Sequence, residues 1–134
     1  SGIMDEITLR DIKHVPLCRE EEGIGIAAGV VLAGKRPMIL MQNSGLGNAV
    51  SPLTSLNHVF RIPVLLVVTL RGEPGKPDEP QHELMGQITP ELLETMRIPW
   101  SWFPDRDEDV EDAKKNGECG WGGYSEVEKE EGRE

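Results

Sequence analysis

The stretch "IPVLLVVTL", Ile62 to Leu70, constrains the fold more than any other part of the chain. It carries no charge, and its polar and apolar positions do not alternate. β-branched residues and leucine dominate it. A strand with one wet face alternates, whereas a continuous apolar run belongs to a strand covered on both faces, the usual condition in parallel sheets of α/β domains. The run falls far short of the roughly 18 apolar residues of a membrane span. A second run, "PMILM" (Pro37 to Met41), is too short for a helix and lies between Pro37 and the glycine-containing "QNSGLGN", so it reads as a neighbouring buried strand.

Helical patterns separate these runs. "REEEGIGIAAGVVLAG" (19–34) predicts a helix that opens with three acids, which suit the positive end of its dipole, and stops at Gly34. "SPLTSLNHVF" (51–60) predicts the next helix, with "QNSGLGN" as the loop before it. In "TPELLETM", Thr89 reads as an N-cap and Pro90 as the first helical residue. "IKHVPLC" (12–18) is a candidate first strand, "IPWSWF" (98–103) a candidate last strand and "DRDEDVEDAKK" (105–115) a last, exposed helix. The alternation predicts an α/β fold, a three-layer sandwich with a parallel sheet flanked by helices.

With 134 residues, 37% of them apolar, the chain suits one compact domain. We place it at 1–104, followed by an acidic helix and a poorly ordered tail at 105–134, a segment that holds 12 of the 24 acidic residues. A net charge of −10 without a basic patch argues against a nucleic-acid binder. Cys18 and Cys119 are too few for a disulfide framework or a four-ligand zinc site, and the start "SGIMDEITLR" lacks a signal-peptide pattern, so a cytoplasmic protein is expected.

In such a fold ligands gather at the carboxyl ends of the strands. Three features fall there: Glu20, Glu21 and Glu22; the loop "QNSGLGN"; and the 16-residue "RGEPGKPDEPQHELMG". The acids alone are explained by helix-start electrostatics. However, Gly23, Gly25, Ala27, Ala28 and Gly29 leave that helix almost without bulk, at about 1 kcal/mol per internal glycine, so something approaches it closely. The loop containing Gly45 and Gly47 fails as a dinucleotide fingerprint: Val50 occupies the third glycine position, and residues 51–72 contain no acid for a ribose. Taken alone it is equally a capped turn in which Asn43 and Ser44 satisfy backbone groups. His82 is the natural proton carrier of the long loop. His14 and His58 lack metal-ligand spacing, and no metal site is expected.

Together, "HVPLCREEEGIGIAAGVVLAGKRPMILMQNSGLGNAVSPLTSLN" and "IPVLLVVTLRGEPGKPDEPQHELMGQITPELLETMRIP" resemble the pyrimidine-binding domain of thiamine diphosphate decarboxylases acting on 3-substituted pyruvates. These are the sulfopyruvate decarboxylase alpha subunit and phosphonopyruvate decarboxylase. The resemblance runs from about His14 to Pro99, and "MQNSGLGN" and "RGEP…QH…MG" are its most specific strings. It implies a glutamate that hydrogen-bonds the cofactor's aminopyrimidine. Counting back from Gly29 places it at Glu20, with Glu21 and Glu22 close enough to compete. Burial against the cofactor would favour a protonated or shared-proton carboxyl, whereas exposed acids would be solvated.

The resemblance further assigns His82 as proton donor, with Gln81 beside it at the substrate. Gln42, Asn43, Ser44 and Gly45 would line the cofactor, and Asn43 the substrate as well. Arg71 would meet the substrate's sulfonate or phosphonate, its alternative being an ion pair with Glu73, Asp78 or Glu79. Family members usually begin with a further strand and helix that this sequence lacks, which suggests a fragment or a degenerate remnant. No Gly-Asp-Gly run is present to hold magnesium and the diphosphate. Activity is therefore expected to need a beta subunit or other partner chain that carries that domain and its Mg2+. The leading expectation is decarboxylation of sulfopyruvate to sulfoacetaldehyde. Phosphonopyruvate decarboxylation, or a noncatalytic binding domain on the same scaffold, are the alternatives.

Overall fold

A computed structural model describes residues 5, 7 and 9–103. Helix α1 spans Glu20–Leu32, and its first turn holds Glu20, Glu21 and Glu22, where negative charge meets unpaired backbone N–H groups. It stops at Gly34, whose φ of 77° is open to glycine at little cost; the Gly34 and Lys35 amides donate to Val31 and Val30 carbonyls at 2.8 and 3.0 Å. Gly23, Ile24, Ala27 and Ala28 form its buried stripe.

Strands β1 (Met38–Gln42) and β2 (Leu65–Thr69) pair in parallel, in register from Met38 with Leu65 to Gln42 with Thr69. The connection between them is helical, so the three elements form a β-α-β unit. On one sheet face Ile39, Met41, Leu66 and Val68 meet Ile24 of α1, Leu46, Ala49 and Leu53 of the connection, and Leu93 and Met96 beyond β2. Leu46 and Ala49 are wholly buried. The opposite face carries Met38, 47% exposed, and Leu40, 37% exposed, and no described element covers it.

The connection begins one residue after β1. Helix α2 runs Asn43–Pro52, so the stretch expected as a loop is the first two turns of a helix. Of its two glycines, which suggest a turn locally, Gly45 packs against Glu20 of α1 and Gly47 is exposed. Pro52 has no N–H to give to the Asn48 carbonyl. A π-helical segment, Leu53–Asn57, follows it, then the single turn α3, His58–Phe60. The Thr54 and Ser55 hydroxyls donate to the Val50 and Ser51 carbonyls at 2.8 and 2.6 Å, serving acceptors that the disturbed ladder leaves open.

Helix α4, Glu83–Thr95, follows a single 3-10 turn at Pro80–His82. It starts two turns before the expected Thr89, and Pro90 lies inside it. Residues 12–18 form no strand. They are exposed throughout and no described strand lies beside them to complete their hydrogen bonds. Residues 98–103 form none either: Ile98 N–H caps α4 by donating to Leu93 O at 2.9 Å, and Trp100 and Trp102 meet edge to face at 5.2 Å. The helix and tail expected at 105–134 lie outside the described residues.

Candidate functional site

The carboxyl ends of β1 and β2 converge with the start of α1. Glu20, the first residue of α1, lies across α2 at Gly45: a Cβ there would fall 2.4 Å from Glu20 Cγ and 2.5 Å from Oε1. The absent side chain is therefore the space that Glu20 fills. One turn on, Asn48 Nδ2 donates to Glu20 Oε2 at 3.1 Å. That bond, reinforced by Glu20's own backbone N–H, holds its carboxyl below the ordinary glutamate range, against a small opposing effect of burial. Glu20 is thus a carboxylate at neutral pH. Glu21 turns to Arg19, with Oε1 2.6 Å from Nη2, and Glu22 is exposed. Of the three acids, Glu20 is the one brought against the α2 glycines.

Asn43 takes a different position from the one expected of a ligand-facing amide. It is wholly buried, and its Nδ2 donates to Arg71 O at 2.9 Å and to Thr89 Oγ1 at 3.1 Å, while its Oδ1 accepts from Arg71 N at 3.2 Å. The side chain therefore ties the end of β1 to the chain leaving β2 and to α4. Thr89 is the partner that local sequence hides, because its hydroxyl also bonds Met85 O within the helix. Gln42 and Ser44 remain at the surface, where Ser44 Oγ donates to Gln42 Oε1 at 2.7 Å.

Beyond β2, Arg71 forms the ion pair that was its alternative. Nε donates to Asp78 Oδ2 at 2.9 Å and Nη2 to Oδ1, while Asp78 also accepts from the backbone N–H of Gly72 at 2.7 Å and of Glu79 at 2.8 Å. Four donors on one carboxylate push its pKa far below the usual range, the guanidinium contributing most. Asp78 was not singled out by sequence, since one acid among Glu73, Asp78 and Glu79 has no local distinction. Gly72, at φ 71°, passes so close to His82 O that a Cβ would lie 2.0 Å from it, and a Cβ on Gly86 would lie 1.7 Å from Gly72 O. His82, half-buried at the end of the 3-10 turn, is fixed by this contact and by its N–H bond to Glu79 O at 2.9 Å; Gln81 is exposed.

No group of three His, Cys, Asp or Glu side chains fit to hold a metal ion occurs among the described residues. No described helix is long and apolar enough to cross a membrane.

No family model matches the chain. Individual proteins do. Over 101 residues, 75% of this chain, it is 45% identical to a phosphonopyruvate decarboxylase of Streptomyces viridochromogenes, covering 25% of that protein. It is 46% identical over 91 residues to the sulfopyruvate decarboxylase subunit alpha of Methanococcus maripaludis, and 49% over 89 residues to that of Methanothermobacter thermautotrophicus, covering 54% and 53% of them. Over these residues the chain is a relative of sulfopyruvate decarboxylase alpha subunits and phosphonopyruvate decarboxylases. It spans about half the length of the alpha subunits it matches and a quarter of the Streptomyces enzyme. The Asn43 tie and the Arg71–Asp78 loop follow the carboxyl ends of β1 and β2, and Glu20 meets Gly45 in the first turn of the helix that leaves β1.

Proposed function

We propose that the chain supplies the pyrimidine-binding half of a thiamine diphosphate-dependent decarboxylase of 3-substituted pyruvates, with sulfopyruvate as substrate. The observation that carries this is Glu20: an ionised carboxylate at a helix start, laid over the bare Cα of Gly45 at the carboxyl edge of a parallel sheet. A flat nitrogen heterocycle suits such a place, because the glycine keeps the wall low and the carboxylate accepts from a ring N–H. When bound, this cofactor supplies the electron sink that stabilises the carbanion left as carbon dioxide departs.

This chain's residues have separate tasks. Glu20 accepts the hydrogen bond of the aminopyrimidine and thereby favours the tautomer able to take a proton. Gln42 and Ser44, at the end of β1, offer amide and hydroxyl groups to the cofactor and substrate, and Gly45 offers backbone contact. Asn43 acts behind them, fixing the junction on which they stand. His82 delivers the proton that completes the aldehyde, with Gln81 beside it. Arg71 spends two of its five donors on Asp78 and keeps the Nη1 edge for the substrate's anionic group. The diphosphate and Mg2+ are assigned to a partner chain, since the sequence contains no Gly-Asp-Gly run to hold them.

The test is to purify the chain together with a partner bearing a Gly-Asp-Gly domain and to follow carbon dioxide release from sulfopyruvate, with thiamine diphosphate and Mg2+ present. Turnover that vanishes in Glu20→Gln, with the two chains still associated, is the expected result. Turnover that persists in Glu20→Gln and vanishes in Glu21→Gln would move the role along α1. Phosphonopyruvate is the second substrate to try, because the Streptomyces relative matches this chain as well as the alpha subunits do.

A further inference from the structure

We infer that Asn48 is a positioning residue that selects Glu20, among three consecutive glutamates, as the working carboxylate and sets its ionisation. The inference rests on the proposed role of Glu20. Two observations that do not depend on each other support it. Gly45 leaves a space on α2 that Glu20 Cγ, Cδ and Oε1 fill, and Asn48, three residues further along the same helix, places an amide donor 3.1 Å from Glu20 Oε2. Residues three apart lie on one helix face, so the bare Cα and the amide make a single notch, with room for the stem at one end and a donor for the head at the other.

Neither neighbouring glutamate reaches this notch. Successive residues on a helix point about 100° apart, and Glu21 is turned to Arg19, while Glu22 points to solvent.

The charges around Glu20 come from its own chain segment: Arg19, Glu21 and Glu22. Among the described elements packed against α1, namely β1, α2 and the π-helical segment, no residue is charged. With Arg19 paired to Glu21, the Asn48 amide is the main group favouring the Glu20 carboxylate, and its removal leaves the backbone N–H groups of the helix start. The amide bonds one oxygen, Oε2, while the other, Oε1, lies over the bare Cα of Gly45.

The test reads Glu20 directly, in the full chain alone, by carboxyl carbon NMR across pH. The expected midpoints rise in the order wild type, Asn48→Ala, Asn48→Asp, the last because an isosteric second carboxylate disfavours ionisation of the first. A merely structural role would not separate the alanine and aspartate variants in that direction. Within wild type, the Asn48 side-chain NH2 signals should shift with the Glu20 midpoint and lose that response in Glu20→Gln, a measurement that needs no Asn48 variant to fold. In an active complex with a Gly-Asp-Gly partner, Asn48→Ala lowers kcat about tenfold, the scale of one charged hydrogen bond, with KM little changed and the acid limb of the kcat profile moved upward. Coincident Glu20 midpoints in all three proteins, or Asn48 signals blind to Glu20, overturn the inference. A complex with no decarboxylase activity overturns the proposed function and leaves the NMR result to decide on Asn48.

Discussion

Asp78 holds Arg71 by both carboxylate oxygens and, with the same two oxygens, accepts from the backbone N–H groups of Gly72 and Glu79. The loop after β2 is therefore closed on one carboxylate. Arg71 supplies two of the four donors to it; Asp78 is the shared acceptor. Removing Asp78 opens all four bonds, whereas removing the guanidinium leaves the two backbone bonds in place. In Asp78→Ala, amide hydrogen exchange at Gly72 and Glu79 should accelerate by about tenfold or more, and in Arg71→Ala it should stay slow. Equal acceleration in both variants would show that the guanidinium organises the loop.

The same carboxylate predicts a pH dependence. Its folded-state pKa is depressed below the unfolded value, so its stabilisation is complete above the ordinary aspartate pKa of about 3.9 and is lost only as pH falls toward the depressed folded value. Slow exchange at the Gly72 and Glu79 amides should therefore survive a titration through pH 4, where ordinary solvent-exposed carboxylates protonate. Loss of protection between pH 5 and 4 would mean that the four-donor cradle is not maintained in solution.

Two kinds of glycine meet in this molecule, and they should respond differently to alanine. At Gly45 the Cβ would meet the Glu20 side chain, which can swing away. Gly45→Ala should keep or slightly raise thermal stability, by up to about 1 kcal/mol of helix propensity, while turnover in a complex collapses because the notch is filled. At Gly86 the Cβ would meet the Gly72 carbonyl at 1.7 Å, and at Gly72 the φ of 71° adds strain. Gly86→Ala and Gly72→Ala should each destabilise by about 1–3 kcal/mol or more in urea titrations, since backbone must move. Unchanged activity in Gly45→Ala would remove Glu20 from this groove.

The contrast also explains what could be read along the chain and what could not. The strand at Leu65–Thr69 and the helix ending at Gly34 are governed by burial and by local backbone geometry, which leave direct marks in sequence. The helical start at Asn43 leaves none: Gly45 and Gly47 weaken the helix locally, and Gly45 is accommodated by a side chain from 25 residues earlier. Thr89-Pro90 misleads in the opposite sense. The pair has the local chemistry of a helix start, yet Thr89 is buried mid-helix by its bond from Asn43, and α4 carries the proline internally. Among the residues of the candidate site, the count from Gly29 points to Glu20, the residue proposed above, whereas the contacts of Asn48, Asp78 and Thr89 emerge only when distant segments meet. The expected strands at 12–18 and 98–103 carry suitable residues but have no paired neighbour among those described.

Asn43 provides the last test. Its side chain joins β1, the Arg71 backbone and Thr89 with three hydrogen bonds in a wholly buried place. Asn43→Ala would leave the Arg71 N–H and C=O without these partners as well as a small cavity, and stranded polar groups cost about 1–3 kcal/mol each where water cannot reach them. The expected loss is about 2–4 kcal/mol, read as a lower urea midpoint with an unchanged slope. Asn43→Asp keeps the acceptor for Arg71 N–H but faces the Arg71 and Thr89 oxygens with a charge, so it should be no better than alanine at neutral pH and recover partly as acid protonates it. A ligand-facing Asn43 predicts the reverse pattern, near-native stability with a raised KM. Stability within about 0.5 kcal/mol of wild type in both variants would return Asn43 to the ligand-binding surface and leave the junction of β1, β2 and α4 to be held by apolar packing alone.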